Sequence, residues 1–341
     1  MKTNDLKLIY KKYWYKATAP ERYTFKVTTY PINKFLLREF KNKNIGKWRV
    51  NFKIKWSDGK TEIVDHTQSN STTPYFNIEH TYDDGEMKER TISFEILNPE
   101  AWNTTDLKYF PYILNSEKLN SQGGINTYND KNLTPIKHII YKDINETLYP
   151  YIRQLNFDET KPTTVSLEGK PKIIVEHFLE QESTDKLSGL IGELIIPAGV
   201  ENICVEAFER NKFTKLHIPD SVNKIGEKAF YENKWVSGML KLPKNLIIIE
   251  KNTFGGMENI DKLIINDKLE IVKEFGFGRM KGLNEVIVPE NVKILEWMSF
   301  NDCGTIEKFY VCEDTQLKSS WNSNTTIRNL IKYKKGETPW K

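Results

Sequence analysis

The sequence predicts a mainly β protein: an N-terminal β-sandwich followed by a C-terminal solenoid with one parallel strand per repeat of about 23 residues. Two observations carry this. A fifteen-residue apolar pattern recurs five times between Leu194 and Phe300. Upstream, short segments alternate apolar and polar residues between turn signals, most clearly WRVNFKIKW at 48–56.

At 341 residues the chain has room for two or three domains. Its 38% hydrophobic and 12% aromatic content supports packed cores and argues against wholesale disorder. The 50 Lys and Arg residues nearly balance 46 Asp and Glu, leaving a net charge of +4 without a block of either sign. A nucleic-acid partner is therefore not expected. Cys204, Cys303 and Cys312 cannot build a disulfide framework, which fits folding in a reducing cytosol. Lys and Asp interrupt the opening MKTNDLKLIYKKYWYKATAPERY, so it does not read as a signal peptide. No run of about 18 apolar residues occurs, and membrane insertion is not expected.

Residues 1–19 read as an N-terminal arm, and 20–98 as the sandwich. Tyr23, Phe25 and Val27 mark a first strand. Trp48, Val50, Phe52, Ile54 and Trp56 share one face of a half-buried strand, and Ser57-Asp58-Gly59-Lys60 supplies a tight turn. Ile92, Phe94 and Ile96 in RTISFEI mark a late strand. WSDG at 56–59, HTYDDG at 80–85 and RTISFEI together resemble a PKD-type immunoglobulin-like domain, with Ser57 where that family has a glycine. The resemblance implies a spacer or binding module. Asp58, Asp65, His66 and His80 invite a metal assignment. The reading preferred here has Asp58 holding the turn, while His80 and Tyr82 pack and hydrogen-bond where a strand begins. The histidines His66, His80, His138, His177 and His217 never fall at ligand spacing, and no metal is expected.

Residues 99–186 read as a connector and the N-terminal cap of the solenoid. NSEKLNSQGGINTYNDKNLTP at 115–135 has the composition of a loop, and the mixed periodicity of 136–157 fits a strand, a short helix or a connector. KIIVEHFLEQ at 172–181 is placed to begin the solenoid, whose first repeat would otherwise expose its upstream face.

The repeats occupy 187–317. Copies start at Leu194, Leu216, Leu240, Leu263 and Val286, with a partial sixth at Phe309. Each opens apolar-x-apolar and continues with Pro197, Pro219, Pro243, Asn266 or Pro289. Aliphatic positions follow at Val200, Val222, Leu246, Leu269 and Val292, then at Ile203, Ile225, Ile249, Val272 and Leu295. A phenylalanine closes every copy (Phe208, Phe230, Phe254, Phe277, Phe300), preceded by the small Ala207, Ala229, Thr253, Gly276 or Ser299. The apolar-x-apolar opening is a short strand, and proline ends it because it has no N–H for a ladder. One unit cannot bury its own apolar face, but stacked units can.

The pattern LxIPxSVxxIGxxAFxxN resembles the BspA-type leucine-rich repeat, found in bacterial surface proteins and some protist ones. Cys303, three residues beyond Phe300, matches a cysteine frequent in that repeat, whereas Asn266 departs from its proline. The resemblance implies binding or adhesion without catalysis. PKD-type domains accompany such repeats in some bacterial and phage proteins.

Residues 318–341 turn polar and read as a C-terminal cap, with Trp321 and Tyr333 as lids over the last phenylalanine. The chain contains no Walker loop, GxGxxG, GxSxG or CxxC, so neither an enzyme nor a cofactor is expected. Cys303 and Cys312 read as packing residues.

The variable position of each strand, Ile195, His217, Lys241, Ile264, Ile287 and Tyr310, projects outward and is the candidate partner-binding strip. The expected partner is a protein or a cell-surface ligand, other virion proteins included. A surface-type architecture without an export signal suggests a phage virion-associated protein (decoration, fibre or tail-associated). A BspA-type bacterial cell-surface adhesin is the alternative. A carbohydrate-active enzyme using two carboxylates in 99–186 is the weaker one.

Overall fold

The computed structural model describes residues 22–29, 34–40, 51–65, 75–82, 86–98, 112–113, 136–142, 147–148, 164–174, 178–179, 190–338 and 340. Every regular element among them is a strand. The chain divides into two compact units, Met1–Asn145 with Tyr149–Ser166, and Glu146–Leu148 with Leu167–Lys341.

The first ten strands are β1 (Arg22–Thr29), β2 (Lys34–Phe40), β3 (Phe52–Lys55), β4 (Thr61–Val64), β5 (Tyr75–Thr81), β6 (Lys88–Ile96), β7 (Tyr112–Ile113), β8 (Ile136–Lys142), β9 (Thr147–Leu148) and β10 (Thr164–Glu168). All but β9 build the N-terminal unit, as a six-stranded sheet in the order β10-β8-β1-β6-β3-β4 and a three-stranded sheet β5-β2-β7. The alternation of 52–56 is realised directly: Phe52, Ile54 and Trp56 are buried, while Lys53 and Lys55 are exposed. Ile92, Phe94 and Ile96 are buried beside them, with the Phe52 and Phe94 rings edge-on at 5.6 Å. Trp48, Val50 and the side chains of Tyr23 and Phe25 lie outside the described residues. Strands β8 and β10 come from the stretch read as connector. Val27 of β1 pairs with Ile139 of β8, and both are buried, so the sheet runs beyond residue 98.

The solenoid continues with β11 (Ile173–Ile174), β12 (Ile191–Ile195), β13 (Asn202–Ile203), β14 (Lys212–His217), β15 (Lys224–Ile225), β16 (Ser237–Lys241) and β17 (Ile248–Ile249). It ends with β18 (Asn259–Ile264), β19 (Ile271–Val272), β20 (Glu285–Ile287), β21 (Ile294–Leu295), β22 (Gly304–Cys312), β23 (Gln316–Leu317) and β24 (Thr325–Tyr333). It has about 7 turns with parallel strands about 22 residues apart. Each repeat carries two strands, not one. The even-numbered strands pair as β12-β14, β16-β18 and β20-β22-β24, and the two-residue strands pair as β15-β13-β11-β9 and β17-β19-β21-β23. A two-residue strand is too short to show alternation in sequence, which is why only the longer family is legible there.

The repeat positions converge on one core. All of the equivalent aliphatics and phenylalanines named above are buried, and only Leu216 among the opening residues is half-buried. Phe208, Phe230, Phe254 and Phe277 stack at 5.4, 5.5 and 6.1 Å with their planes within 7°. Phe178 meets Phe208 edge-on upstream, and Trp321 meets Phe300 edge-on downstream. The small residue before each ring leaves room for the neighbouring coil: a Cβ on Gly276 would stand 2.8 Å from Ile249 Cγ2. Three residues past the ring, Asn211 and Asn233 are buried and donate to the Phe208 carbonyl from both sides, at 3.1 and 2.8 Å. Cys303 holds this position in the fifth copy, with Sγ 3.3 Å from the Phe277 carbonyl.

The turns are closed by backbone. Val200, Val222, Leu246 and Val292 each donate to the carbonyl of the proline that ends the strand. Asn266 replaces that proline without loss, since its Nδ2 donates to the Pro243 and Leu246 carbonyls and its Oδ1 accepts from Lys268 N. At the corner beside the ring, Glu206 and Arg210 take left-handed φ of 55° and 61°, and Lys228 and Glu232 repeat this. The strain is offset by coil-to-coil hydrogen bonds, from Glu206 N to Glu227 O and from Phe208 N to Ala229 O.

The C-terminal cap differs from the expectation. Residues 325–333 are a nine-residue strand in parallel register with β22, from Gly304↔Thr325 to Cys312↔Tyr333. Trp321 is the lid on the aromatic column, while Tyr333 belongs to the outer strand face.

Replacing Phe254, in the middle of the column, with Ala removes two stacked neighbours and leaves a cavity. The expected cost is about 3–5 kcal/mol in urea unfolding followed by circular dichroism.

A candidate docking face on the outer strands

Parallel pairing in register turns equivalent positions into rows. Ile195 lies opposite His217, Lys241 opposite Ile264, and Ile287 opposite Tyr310. The strip is therefore a physical row, but its exposure changes along its length. Ile195 is 56% exposed, and His217 and Lys241 are exposed. Ile264 and Ile287 are half-buried, and Tyr310 retains only 5% of its surface. Tyr310 keeps its place in the outer row but is covered, because Trp340 of the C-terminal segment packs over it.

That segment is anchored at three points. Trp340 packs edge-on against Tyr310 at 5.9 Å and Tyr333 at 5.1 Å. Tyr333 Oη donates to the Val288 carbonyl at 2.6 Å. Gly336 N donates to Glu290 Oε2 at 2.6 Å. Tyr310, Cys312 and Tyr333 form a buried cluster flanked by Ile287, Ile331 and Trp340. Burial pushes the Tyr333 hydroxyl up to about 12, helped by the neighbouring Cys312 and Glu290.

Between this segment and the outer residues of β18 and β20 runs a groove of about 850 Å³. Its apolar lining includes Ile264, Ile287, Pro289 and Trp340, and its charged lining is Asp261, Asp267, Glu285, Glu290 and Glu337 against Lys262 alone. The groove lies where β18 and β20 belong to different ladders. Sequence reasoning found Ile264 and Ile287 but missed these acids, since carboxylates from separate repeats are gathered only by stacking.

The other candidates resolve into structural contacts. Asp58 accepts from Lys60 N at 3.1 Å and lies 2.9 Å from His80 Nε2. The His80 ring stacks on Trp56 at 4.3 Å, and the Tyr82 hydroxyl meets Ser57 Oγ at 3.1 Å. Gly59, at φ +87°, completes the turn by donating to the Trp56 carbonyl. Burial raises the Asp58 carboxyl, but hydrogen bonds from His80 and Lys60 outweigh it and hold the group below its ordinary value. Among the described residues no three His, Cys, Asp or Glu side chains are grouped as metal ligands, and His66 lies outside them. Cys204, Cys303 and Cys312 are buried free thiols. Burial pushes Cys303 up to about 12, which suppresses its thiolate. No helix of the described residues is long and apolar enough to cross a membrane.

Residues 201–328 match the family described as the BspA type leucine rich repeat region, in six copies. No curated protein matches the chain. Among solved structures, a leucine-rich repeat protein from Bacteroides ovatus is similar at 15% identity, over 62% of this chain and 68% of that one, with a TM-score of 0.36. A leucine rich cell surface protein from Faecalibacterium prausnitzii is 13% identical over 66% of this chain and 87% of its own, with a TM-score of 0.28. The pneumococcal vaccine antigen PcpA is 15% identical over 60% and 76%, with a TM-score of 0.24.

The raised Tyr333 hydroxyl gives a pH dependence with a definite sign. The protonated form is favoured by the docked segment, so its contribution is intact below about pH 10 and is lost as pH rises towards 12. A tyrosinate absorbance titration of the wild type minus Tyr333→Phe should show this late-titrating group. Asp58 has the opposite sense: its contribution is present above about pH 4 and is lost on acidification through its lowered value. Asp58→Asn should flatten the acid limb of thermal stability for the N-terminal unit.

Proposed function

We propose, taking as premise that residues 201–328 are a BspA-type leucine-rich repeat region, that this is a non-catalytic recognition protein whose outer strand face docks a protein partner. The observation that carries the reading is the face itself. Ile195 and Met239 are exposed apolar residues on parallel strands, and Ile264 and Ile287 line an open groove further along the same face. Apolar side chains gathered on one regular surface mark an interaction site more often than a solvated one. Ion pairs such as Lys228–Glu206 and Lys281–Glu258 join turn residues of neighbouring coils.

The N-terminal unit is assigned a PKD-like β-sandwich role as mount or spacer, supported by the Trp56–Asp58–His80–Tyr82 constellation on its turn. Display on a surface follows from the repeat resemblance, with a phage particle or a bacterial cell as the setting. Fractionation with a specific antibody separates these, since a virion component co-sediments with purified particles and an adhesin with the envelope.

The docking reading is tested by placing a photo-crosslinking residue at Ile195 or at Lys251, which lies on the ion-paired side. Crosslinks to a partner from the source surface fraction are expected from Ile195 only. The double variant Ile264→Asp/Ile287→Asp should weaken partner binding by roughly 100-fold with the fold intact by circular dichroism. Equal crosslinking from Lys251, or unchanged binding in the double variant, contradicts the assignment.

A further inference from the structure

The groove beside β18 and β20 has a chemistry that narrows its occupant. Five carboxylates line it against the Lys262 ammonium, a net charge of −4 on a chain whose total is +4. Negative charge is therefore concentrated here against the sense of the whole protein. Asp261 and Glu285 are exposed and make no ion pair among the described residues, so their charge is directed at solvent. Beneath the acids the lining is apolar, from Ile264, Ile287 and Pro289, with Trp340 as a side wall.

The chain also shows how this face holds a polypeptide. Its own C-terminal segment, KKGETPWK, is rich in lysine and carries one tryptophan. Trp340 is set against Tyr310 and Tyr333, and Glu290 accepts the backbone N–H of Gly336. An aromatic anchor on the apolar floor and a carboxylate on the backbone form one mode of capture, and the groove leaves space for a second segment beside the first. A volume of about 850 Å³ lies in the range that holds a few side chains.

We propose that this groove binds an extended basic segment of a partner protein, with one aromatic side chain on Ile264 and Ile287 and lysine or arginine side chains on Asp261, Glu285 and Glu337. The assignment rests on the docking face above and gives it a ligand class. Electrostatic complementarity of this kind sets orientation and association rate, and the apolar contact sets lifetime. A polyanion is repelled from the same surface.

The test uses the full chain and a fluorescent eight-residue peptide of lysine, glycine and one tryptophan, read by anisotropy. Controls replace every lysine with glutamate, or the tryptophan with alanine. Binding of the lysine–tryptophan peptide is expected, weakened roughly tenfold by removing the tryptophan and roughly tenfold or more in Asp261→Lys/Glu285→Lys. Both substituted positions are exposed, and an unchanged melting temperature verifies the fold. Equal binding of the glutamate peptide, absence of binding by either, or indifference to the charge reversal overturns the proposal. Crosslinking from Ile195 that persists in that event retires the basic-segment class and keeps the docking face. Loss of both removes the face as well.

Discussion

Coil-to-coil register is the constraint on which the rest of this protein depends. Parallel strands stack at about 4.8 Å, and any side chain repeated at the same position must tolerate a copy of itself at that distance. Phenylalanine meets the condition by stacking, and centroid spacings of 5.3 to 6.1 Å along the column show rings accommodated by small offsets. The condition then propagates outward. Ala207, Ala229, Thr253, Gly276 and Ser299 are small because the adjacent coil occupies the space beside each ring. The left-handed corner residues exist because the chain must turn there while still donating N–H groups to the next coil.

Charge follows the same register without setting it. Lys273–Glu250, Lys251–Glu274 and Lys293–Glu270 join neighbouring coils, and Arg279–Glu232 spans the coil containing Gly256, where a side chain would crowd Glu232. The exposed pairs among them, such as Lys293–Glu270, each contribute little, about 0–1 kcal/mol, whereas Lys273–Glu250 is largely buried. The outer strand face carries exposed apolar residues such as Ile195 and Met239 beside polar ones such as His217 and Lys241.

The far end of the face shows how local chemistry and closure meet. A solenoid end exposes both its core and its last strand. Trp321 closes the aromatic column, and Tyr333 with Trp340 covers Tyr310 of β22 on the outer face. The acidic groove lies beside this covered end, lined by Ile264, Ile287 and Trp340.

The C-terminal repeats were legible because each position is reiterated: five copies of Phe, of the preceding small residue and of the strand-ending turn leave one fold that buries them all. The turn at WSDG was also readable, since Asp58 and Gly59 suit tight backbone geometry. Its contacts with His80 and Tyr82 were not, and these residues lie at the end of β5 rather than where a strand begins. Strand β10 was not legible, and β8 was only one of several readings of 136–157, because a strand joined to a sheet through neighbours far off in sequence can show mixed periodicity. Nor was the burial of Tyr310, whose sequence position equals that of the exposed Ile195. By itself the sequence determined the repeat, its core and the row of outward positions, all of which follow from local periodicity. Tertiary structure alone decided which part of that row stays open and where acids gather beside it, because both depend on residues brought together across coils and by a returning C-terminal segment.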